Sequence, residues 1–184
     1  MNNNRLKVFI TSKDSSKRIS QSTIEELSKD KTNIKAKITV EPKNQRQEIL
    51  GFGGSFTEAS SSIYIDLDSH KKEEIIESYF GESGNKYSMA RTHINSCDFS
   101  LGNYAHVEDE NDLELKTFSL ERNKTSLIPM INDALKKRKS NIRIMASPWS
   151  PPAWMKTTGK MNFGGKLKNE YKDTWADYYC KFIE

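Results

Sequence analysis

Strand-like and helix-like segments alternate from residue 47 to residue 184, and this alternation limits the possible folds more than any other feature. Short apolar runs predict strands over residues 47–51, 86–94 and 141–147. Each run precedes a stretch with helical spacing. Such alternation is typical of parallel strands joined by crossover helices, because parallel neighbours cannot be connected by a tight turn. We therefore predict an α/β fold with about three β/α units.

The stretches between these runs place apolar residues three and four positions apart. They predict helices over residues 57–67, 69–80, 119–139 and 169–183. One face of each helix would then be apolar and would cover the sheet. The basic cluster at residues 136–139 ends one of these helices, where cations favour the helix dipole.

The first 46 residues have a different pattern. Residues 5–11 predict a short strand, and the polar residues 14–30 predict a loop or a weak helix. Residues 34–41 alternate apolar and polar side chains at period two, which predicts a half-buried antiparallel strand. We therefore predict two domains, with β-strands over residues 1–46 and the α/β fold over residues 47–184.

The length of 184 residues is too small for a complete (β/α)₈ barrel, which needs about 250 residues. Three units predict either a small open sheet or the first part of a larger fold. The sequence ends inside an amphipathic helix without a Gly or Pro terminator, which favours the first part of a larger fold over a small open sheet. No apolar run reaches the roughly 20 residues of a membrane helix, and the start lacks the apolar core of a secretory signal. We expect no transmembrane segment and a cytoplasmic location.

Composition excludes several classes of site. The formal charge of +4, from 29 basic and 25 acidic residues, is spread along the chain and gives no basis for nucleic-acid binding. None of the three histidines has a ligand-pair spacing with another His or Cys, so we expect no metal and no cofactor. Cys97 and Cys180 predict free thiols. Cys97 fits a small buried residue beside a site better than a nucleophile.

Sites in parallel α/β folds gather where strands end, and three predicted strand ends carry unusual residues. Residues 51–54 are Gly-rich, which predicts tight strand-to-helix packing; a phosphate cradle is the alternative, although the spacing of known phosphate loops is missing. Arg91 lies on a strand and stays charged, so its guanidinium needs a hydrogen-bond acceptor. Asp98 follows that strand. Its carboxylate could accept hydrogen bonds from a sugar or a peptide, and capping of a turn is the alternative.

The third strand end places Trp149 and Trp154 among three prolines. A Trp ring suits the apolar face of a sugar, and two core tryptophans under a loop are the alternative. A retaining glycosidase needs two carboxylates about 5 Å apart. Glu58 lies inside a predicted helix, so it is a poor partner for Asp98 in such a pair.

At these segments the chain resembles glycoside hydrolase family 30, the glucosylceramidase-like enzymes. The matching stretches follow the family's order: GFGGSFTEA at 51–59, ARTHINSCDFSLGNYA at 90–105, SLIPMINDAL at 126–135, ASPWSPPAWMKTTG at 146–159 and DTWADYYCKFIE at 173–184. The resemblance implies a retaining β-glycosidase on a (β/α)₈ TIM barrel. It also implies that the strands over residues 1–46 belong to a side β-sandwich domain, and that the substrate is a β-glucoside, glucosylceramide or a β-glucan.

The resemblance implies roles for five residues of this sequence. Asp98 would accept hydrogen bonds from the hydroxyl groups of the sugar next to the cleaved bond, and Trp154 would contact the same sugar. Phe99 and Trp149 would line the sugar pocket. Arg91 would form hydrogen bonds within the active site and support the nucleophile.

The sequence departs from the family's pattern in two places. It contains no Asn-Glu-Pro, the motif that carries the family's acid/base Glu at the end of the fourth strand. We therefore expect residues 47–184 to stop before that strand, to lack both catalytic carboxylates, and to be inactive alone. Thr92-His93 stands where the animal lysosomal enzymes have Val-Pro, which favours a bacterial member.

The sequence leaves two alternative functions and also predicts one physical property of the chain. The alternatives to a β-glucosidase are an endo-β-1,6-glucanase of the same family and a non-catalytic carbohydrate-binding α/β domain. Open edges of an incomplete barrel would present unpaired strands, so we expect the isolated chain to self-associate.

Overall fold

The computed structural model describes residues 7–23 and 37–184 of the chain. The chain divides into two compact units, Met1–Glu48 and Ile49–Glu184. In the first unit, strand β1 (Val8–Ile10) pairs antiparallel with strand β2 (Ser20–Ser22). Strand β1 confirms the strand predicted within residues 5–11, of which residues 5 and 6 lie outside the described residues. Strand β2 lies where we predicted a loop or a weak helix.

The strand predicted over residues 34–41 is wrong in its described part. Residues 37–41 have no regular secondary structure, and residues 34–36 lie outside the described residues. The apolar side chains of Ile38 and Val40 are exposed. Period-two alternation produces a strand only where a neighbouring strand takes the hydrogen bonds and a core takes the apolar face, and the described residues provide neither here.

The second unit holds a three-stranded parallel sheet in the order β3-β4-β5, which confirms the α/β prediction. Strand β3 is Gly53–Ser55, β4 is Met89–Ile94 and β5 is Arg143–Pro148. Strand β3 comes later than the predicted strand over residues 47–51. The glycines themselves pair with β4: a Cβ on Gly53 would lie 1.7 Å from the carbonyl oxygen of Met89, so this close approach requires glycine.

Five helices cover the connections between the strands and the chain after β5: α1 (Glu58–Ile65), α2 (Ser69–Phe80), α3 (Glu121–Lys124), α4 (Leu127–Arg138) and α5 (Lys172–Ile183). Thr57 caps α1, and Asp68 caps α2 by accepting a hydrogen bond from the Lys71 N–H. The single helix predicted over residues 119–139 is divided in two. Ser126 leaves the helical conformation, and its hydroxyl lies 2.9 Å from that of Ser61 on α1.

Two apolar cores support the sheet. The first lies among β4, α1, α2 and α4 and contains Phe56, Tyr64, Ile76, Phe80, Ala90, Leu127, Ala134 and Ile142. The second lies under the loops that follow β4 and β5, is covered by α5, and contains Ile94, Val107, Leu115, Trp154, Met155, Trp175 and Tyr178. The second core therefore supports the carboxyl end of the sheet. Across the described ranges, no helix is long and apolar enough to cross a membrane.

Candidate functional site

Asn95 joins the ends of two strands. It follows β4 directly, is fully buried and has a φ of 62°, a left-handed conformation that Asn tolerates. Its Nδ2 donates to the carbonyl oxygen of Ser150, beyond the end of β5, at 3.0 Å. Its Oδ1 accepts from the His106 N–H at 3.2 Å and from the Tyr178 hydroxyl on α5. Asn95 therefore fixes the loop after β4 against the loop after β5.

Arg91 lies on β4 and reaches the neighbouring strand. Its Nη2 donates to the Ser147 Oγ at 2.8 Å, and its guanidinium lies 5.2 Å from the centre of the Trp149 ring, within cation–π distance. Arg91, Phe99 and Trp149 line a cavity of about 420 Å³ at the carboxyl end of the sheet. The charge predicted to need an acceptor is thus held by a hydroxyl and an aromatic face.

Asp98 lines an adjoining cavity of about 450 Å³. Cys97 and Trp149 line both this cavity and the one that contains Arg91. Within the described part of the chain, Asp98 accepts no hydrogen bond; the turn after β4 is closed instead by Ser100, whose Oγ accepts from the Cys97 N–H at 3.0 Å. The exposed carboxylate of Asp98 is therefore available to a ligand.

The two tryptophans of the third segment differ in environment. Trp149 is 43% exposed beside Arg91. Trp154 is 8% exposed, its Nε1 donates to the Val107 carbonyl oxygen at 3.2 Å, and the Tyr171 ring contacts it edge-on. Trp154 lines a third cavity, of about 390 Å³, which shares Asn103, Met161, Asn162 and Phe163 with the cavity that Asp98 lines. Trp149 therefore shares a cavity with Asp98 and another with Arg91 and Phe99, whereas Trp154 lines the neighbouring one, and its contact with the sugar stays a prediction.

Glu58 is a buried carboxylate close to these loops. It lies in the first turn of α1, and its Oε1 accepts from the Arg122 Nε at 2.6 Å. Its Oε2 accepts from the Leu101 N–H at 2.9 Å. Glu58 does not line either of the two cavities, so in the part of the chain described here Asp98 and Glu58 are not a facing pair of carboxylates.

Two histidines are buried near the site: His93, which also lines the cavity that contains Arg91, and His106. The Nδ1 of His93 lies 2.6 Å from the carbonyl oxygen of Asn95, and since a carbonyl only accepts, Nδ1 carries the proton. Burial lowers the pKa of His93 and lowers that of His106 to about 4, so both rings are neutral at pH 7. No group of three or more potential metal ligands occurs within residues 7–23 and 37–184.

Sequence reasoning missed Asn95, Ser147 and the anchoring role of Glu58. An Asn directly after a strand was a usable signal for a left-handed turn. The partners of Ser147 and Glu58, by contrast, are Arg91 and Arg122, which are 56 and 64 residues away. No local pattern in the sequence connects residues at such separations.

The comparison with family models decides the assignment. Residues 49–184 match the glycosyl hydrolase family 30 TIM-barrel domain. The chain belongs to this family. The family resemblance predicted from the sequence is therefore confirmed, as is the parallel α/β character of its domain.

The chain is similar in sequence to proteins that are named as glucosylceramidases and as an endo-1,6-β-D-glucanase. The chain is 39% identical over 174 residues to a putative glucosylceramidase 3 of Caenorhabditis elegans, covering 93% of this chain and 33% of that protein. It is 37% identical over 152 residues to the lysosomal acid glucosylceramidase of Mus musculus, covering 80% and 30%. It is 26% identical over 161 residues to an endo-1,6-β-D-glucanase of Neurospora crassa, covering 83% and 33%.

A solved structure has the same fold as this chain. The crystal structure of SrfJ from Salmonella typhimurium superposes with a TM-score of 0.72 at 44% identity, covering 74% of this chain and 31% of that one. The chain spans about a third of the length of the curated relatives it matches. Because those relatives include a lysosomal enzyme, the cytoplasmic location and the bacterial origin stay predictions.

Proposed function

We propose that the protein is a retaining β-glucosidase whose substrates are β-glucosides of the glucosylceramide class. In this proposal Asp98, Phe99, Trp149 and Arg91 form the part of the site that binds the sugar and holds it in place. We further propose that residues 1–46 belong to a side β-sandwich domain and residues 47–184 to the first part of the barrel.

The observation that carries the proposal is the grouping of four side chains around two adjoining cavities. Asp98 offers a carboxylate without a partner among the described residues, which suits the hydroxyl rim of a hexose. Trp149 and Phe99 offer aromatic faces, which suit the apolar C–H face of a sugar ring. Arg91 offers N–H donors that a neutral hydroxyl acceptor holds in place.

We propose that the reacting carboxylates lie outside these 184 residues. Retaining hydrolysis needs one carboxylate to attack the anomeric carbon. A second must protonate the leaving oxygen and then deprotonate water. Glu58 is occupied by Arg122 and Leu101, which supports excluding it from both roles. The 184-residue chain alone would then bind and orient sugar without cleaving it.

The test compares the 184-residue chain with the natural full-length protein on a fluorogenic β-glucoside. We expect hydrolysis by the full-length protein and none by the shorter chain. Asp98→Asn in the full-length protein should lower kcat/KM by about 10²-fold, since a charged hydrogen-bond acceptor contributes about 1.5–3 kcal/mol. Equal hydrolysis by both chains would refute the missing-carboxylate proposal. No hydrolysis by either would favour a carbohydrate-binding domain.

The second candidate is an endo-β-1,6-glucanase, which the similarity to the Neurospora crassa enzyme favours. Both reactions would use the same sugar-binding side chains, so the products distinguish them. Release of short β-1,6-linked oligosaccharides from a β-1,6-glucan would support the glucanase. Release of glucose from a β-glucosyl lipid, with the glucan left intact, would support the glucosidase.

A further inference from the structure

The first turn of α1 holds the loop that follows β4. The carboxylate of Glu58 accepts from the Leu101 N–H at 2.9 Å, and the Ala59 N–H donates to the Phe99 carbonyl oxygen at 2.9 Å. Two consecutive residues of the helix therefore bind the loop backbone at two points. Asp98 directly precedes Phe99, whose carbonyl oxygen is one of these two points.

Glu58 is itself fixed by a cation. Arg122 approaches it with Nε at 2.6 Å and Nη2 at 3.4 Å, and the same guanidinium lies 4.2 Å from the centre of the Tyr104 ring. Burial raises the pKa of the Glu58 carboxyl, but the hydrogen bonds from Arg122 and Leu101 outweigh burial and leave this pKa below its ordinary value. The carboxylate is therefore ionised and committed to these donors.

We propose that Glu58 is a positioning residue that fixes the loop carrying Asp98 and Phe99, and so sets where both side chains meet the sugar. The inference rests on the proposed function. It assigns Glu58 no contact with the substrate and no part in proton transfer.

The position of Asp98 depends on Glu58 because the Asp98 side chain has no partner of its own among the described residues. Among the residues that the structure describes, Asp98 makes no hydrogen bond or ion pair, so its position depends on the loop backbone. Glu58 is 8% exposed, and removing its carboxylate would leave the Leu101 N–H and the Arg122 guanidinium without this acceptor. A loop held less firmly would move Asp98, and a misplacement of about 1 Å can lower a rate by 10²-fold.

The kinetic test uses the full-length protein with a fluorogenic β-glucoside. Glu58→Ala should lower kcat/KM by about 10- to 100-fold. Glu58→Gln should restore part of this loss, because its amide oxygen can still accept from the Leu101 N–H. The matched control is Glu77→Ala: the Glu77 carboxylate also accepts from a backbone N–H, that of Ser83, and from a cation, Lys137, but it lies on α2 away from the site. The control should keep the wild-type kcat and KM.

A combination of mutations separates positioning from general loss of stability. If Glu58 acts through Asp98 and Phe99, then adding Glu58→Ala to a protein that already carries Asp98→Ala and Phe99→Ala should cause less than about threefold further loss in kcat/KM. A full 10-fold or larger further loss would overturn the proposal. The same loss in Glu77→Ala would also overturn it, since any carboxylate that binds both a cation and a backbone N–H would then have the same effect.

Hydrogen exchange tests the contact between Glu58 and the loop after β4 independently of enzymatic activity. Glu58→Ala should speed exchange of the Leu101 amide and of the loop over residues 97–101, whereas Glu77→Ala should leave that loop unchanged. If the wild-type protein hydrolyses no β-glucoside, the proposed function fails, and exchange alone decides the inference. Unchanged exchange in Glu58→Ala would overturn the inference even in an active enzyme.

Discussion

Arg91, in the middle of β4, donates a hydrogen bond at 2.8 Å to the hydroxyl of Ser147, near the carboxyl end of β5. Ser147 lies opposite His93 in the register, so the guanidinium reaches diagonally toward the end of the sheet. Throughout the described ranges no carboxylate lies within ion-pair distance of Arg91. Neutral groups therefore hold the guanidinium beside the cavity that Arg91 lines, and its charge stays available to the site.

Arg91→Lys should lower kcat/KM of the full-length protein for a β-glucoside by about 10-fold, and Arg91→Ala by about 100-fold. Lysine keeps the charge but loses the planar fork that bonds Ser147 and contacts Trp149. Steady-state kinetics on both variants measure the effect. Arg143→Lys at the exposed amino end of β5 is the control, and an equal loss there would contradict a specific role for Arg91.

The two tryptophans should separate binding from stability. Trp149→Ala should raise KM about 10-fold with little change in the free energy of unfolding, because the ring is 43% exposed beside the cavity. Trp154→Ala should lower the free energy of unfolding by about 3–5 kcal/mol, because it empties a buried space and leaves the Val107 carbonyl without its donor. Urea denaturation and KM give the two readouts. Loss of sugar affinity at unchanged stability in Trp154→Ala would support the sugar contact that the family resemblance implied.

Part of the fold could be predicted because it depends on local pattern. Helices α1 and α2 lie within the segments that the 3.6-residue period predicted, and β4 and β5 overlap the predicted apolar runs. Strand β3 could not be predicted, because glycine there serves close backbone approach and carries no apolar signal. The division between α3 and α4 depends on the contact of Ser126 with Ser61, which is a tertiary contact.

The site could be predicted as a set of strand-end residues but not as a network. Arg91, Asp98, Phe99 and Trp149 all lie in or after strands, so topology alone brings them to one edge of the sheet. The choice between Trp149 and Trp154 depends on which ring the second core buries. The sequence does not show this, because both are tryptophans in the same proline-rich segment. The anchor from Glu58 to the loop after β4 joins residues 43 positions apart, so it needs the folded chain.

His106 should make the protein less stable in mild acid. Its Nδ1 donates to the Ser119 carbonyl oxygen at 2.9 Å, and burial, opposed by this bond and assisted by the neighbouring His93, lowers its pKa to about 4. The unfolded chain binds this proton near pH 6.5, whereas the native state binds it only near pH 4. The free energy of unfolding should therefore fall as the pH drops from 6.5 to 4, by about 3 kcal/mol in total.

Urea denaturation of the full chain at several pH values between 7 and 4 measures this dependence. His106→Asn removes the titration and keeps an N–H donor, so its stability should fall less steeply with acid than that of the wild type. His93, whose pKa is also lowered, leaves some dependence in the variant. Parallel curves for the wild type and His106→Asn would contradict the prediction.

The isolated 184-residue chain should self-associate through β5. This strand pairs with β4 along one edge, and no described strand pairs with its other edge. Met145 on β5 is 59% exposed, and an apolar strand edge is a template for pairing with a second chain. Met145→Lys should therefore shift the chain toward monomer, whereas Ile63→Lys, an exposed position on α1 away from the edge, should not. Sedimentation velocity at equal concentrations measures both, and a monomeric wild-type chain that unfolds cooperatively would refute the prediction.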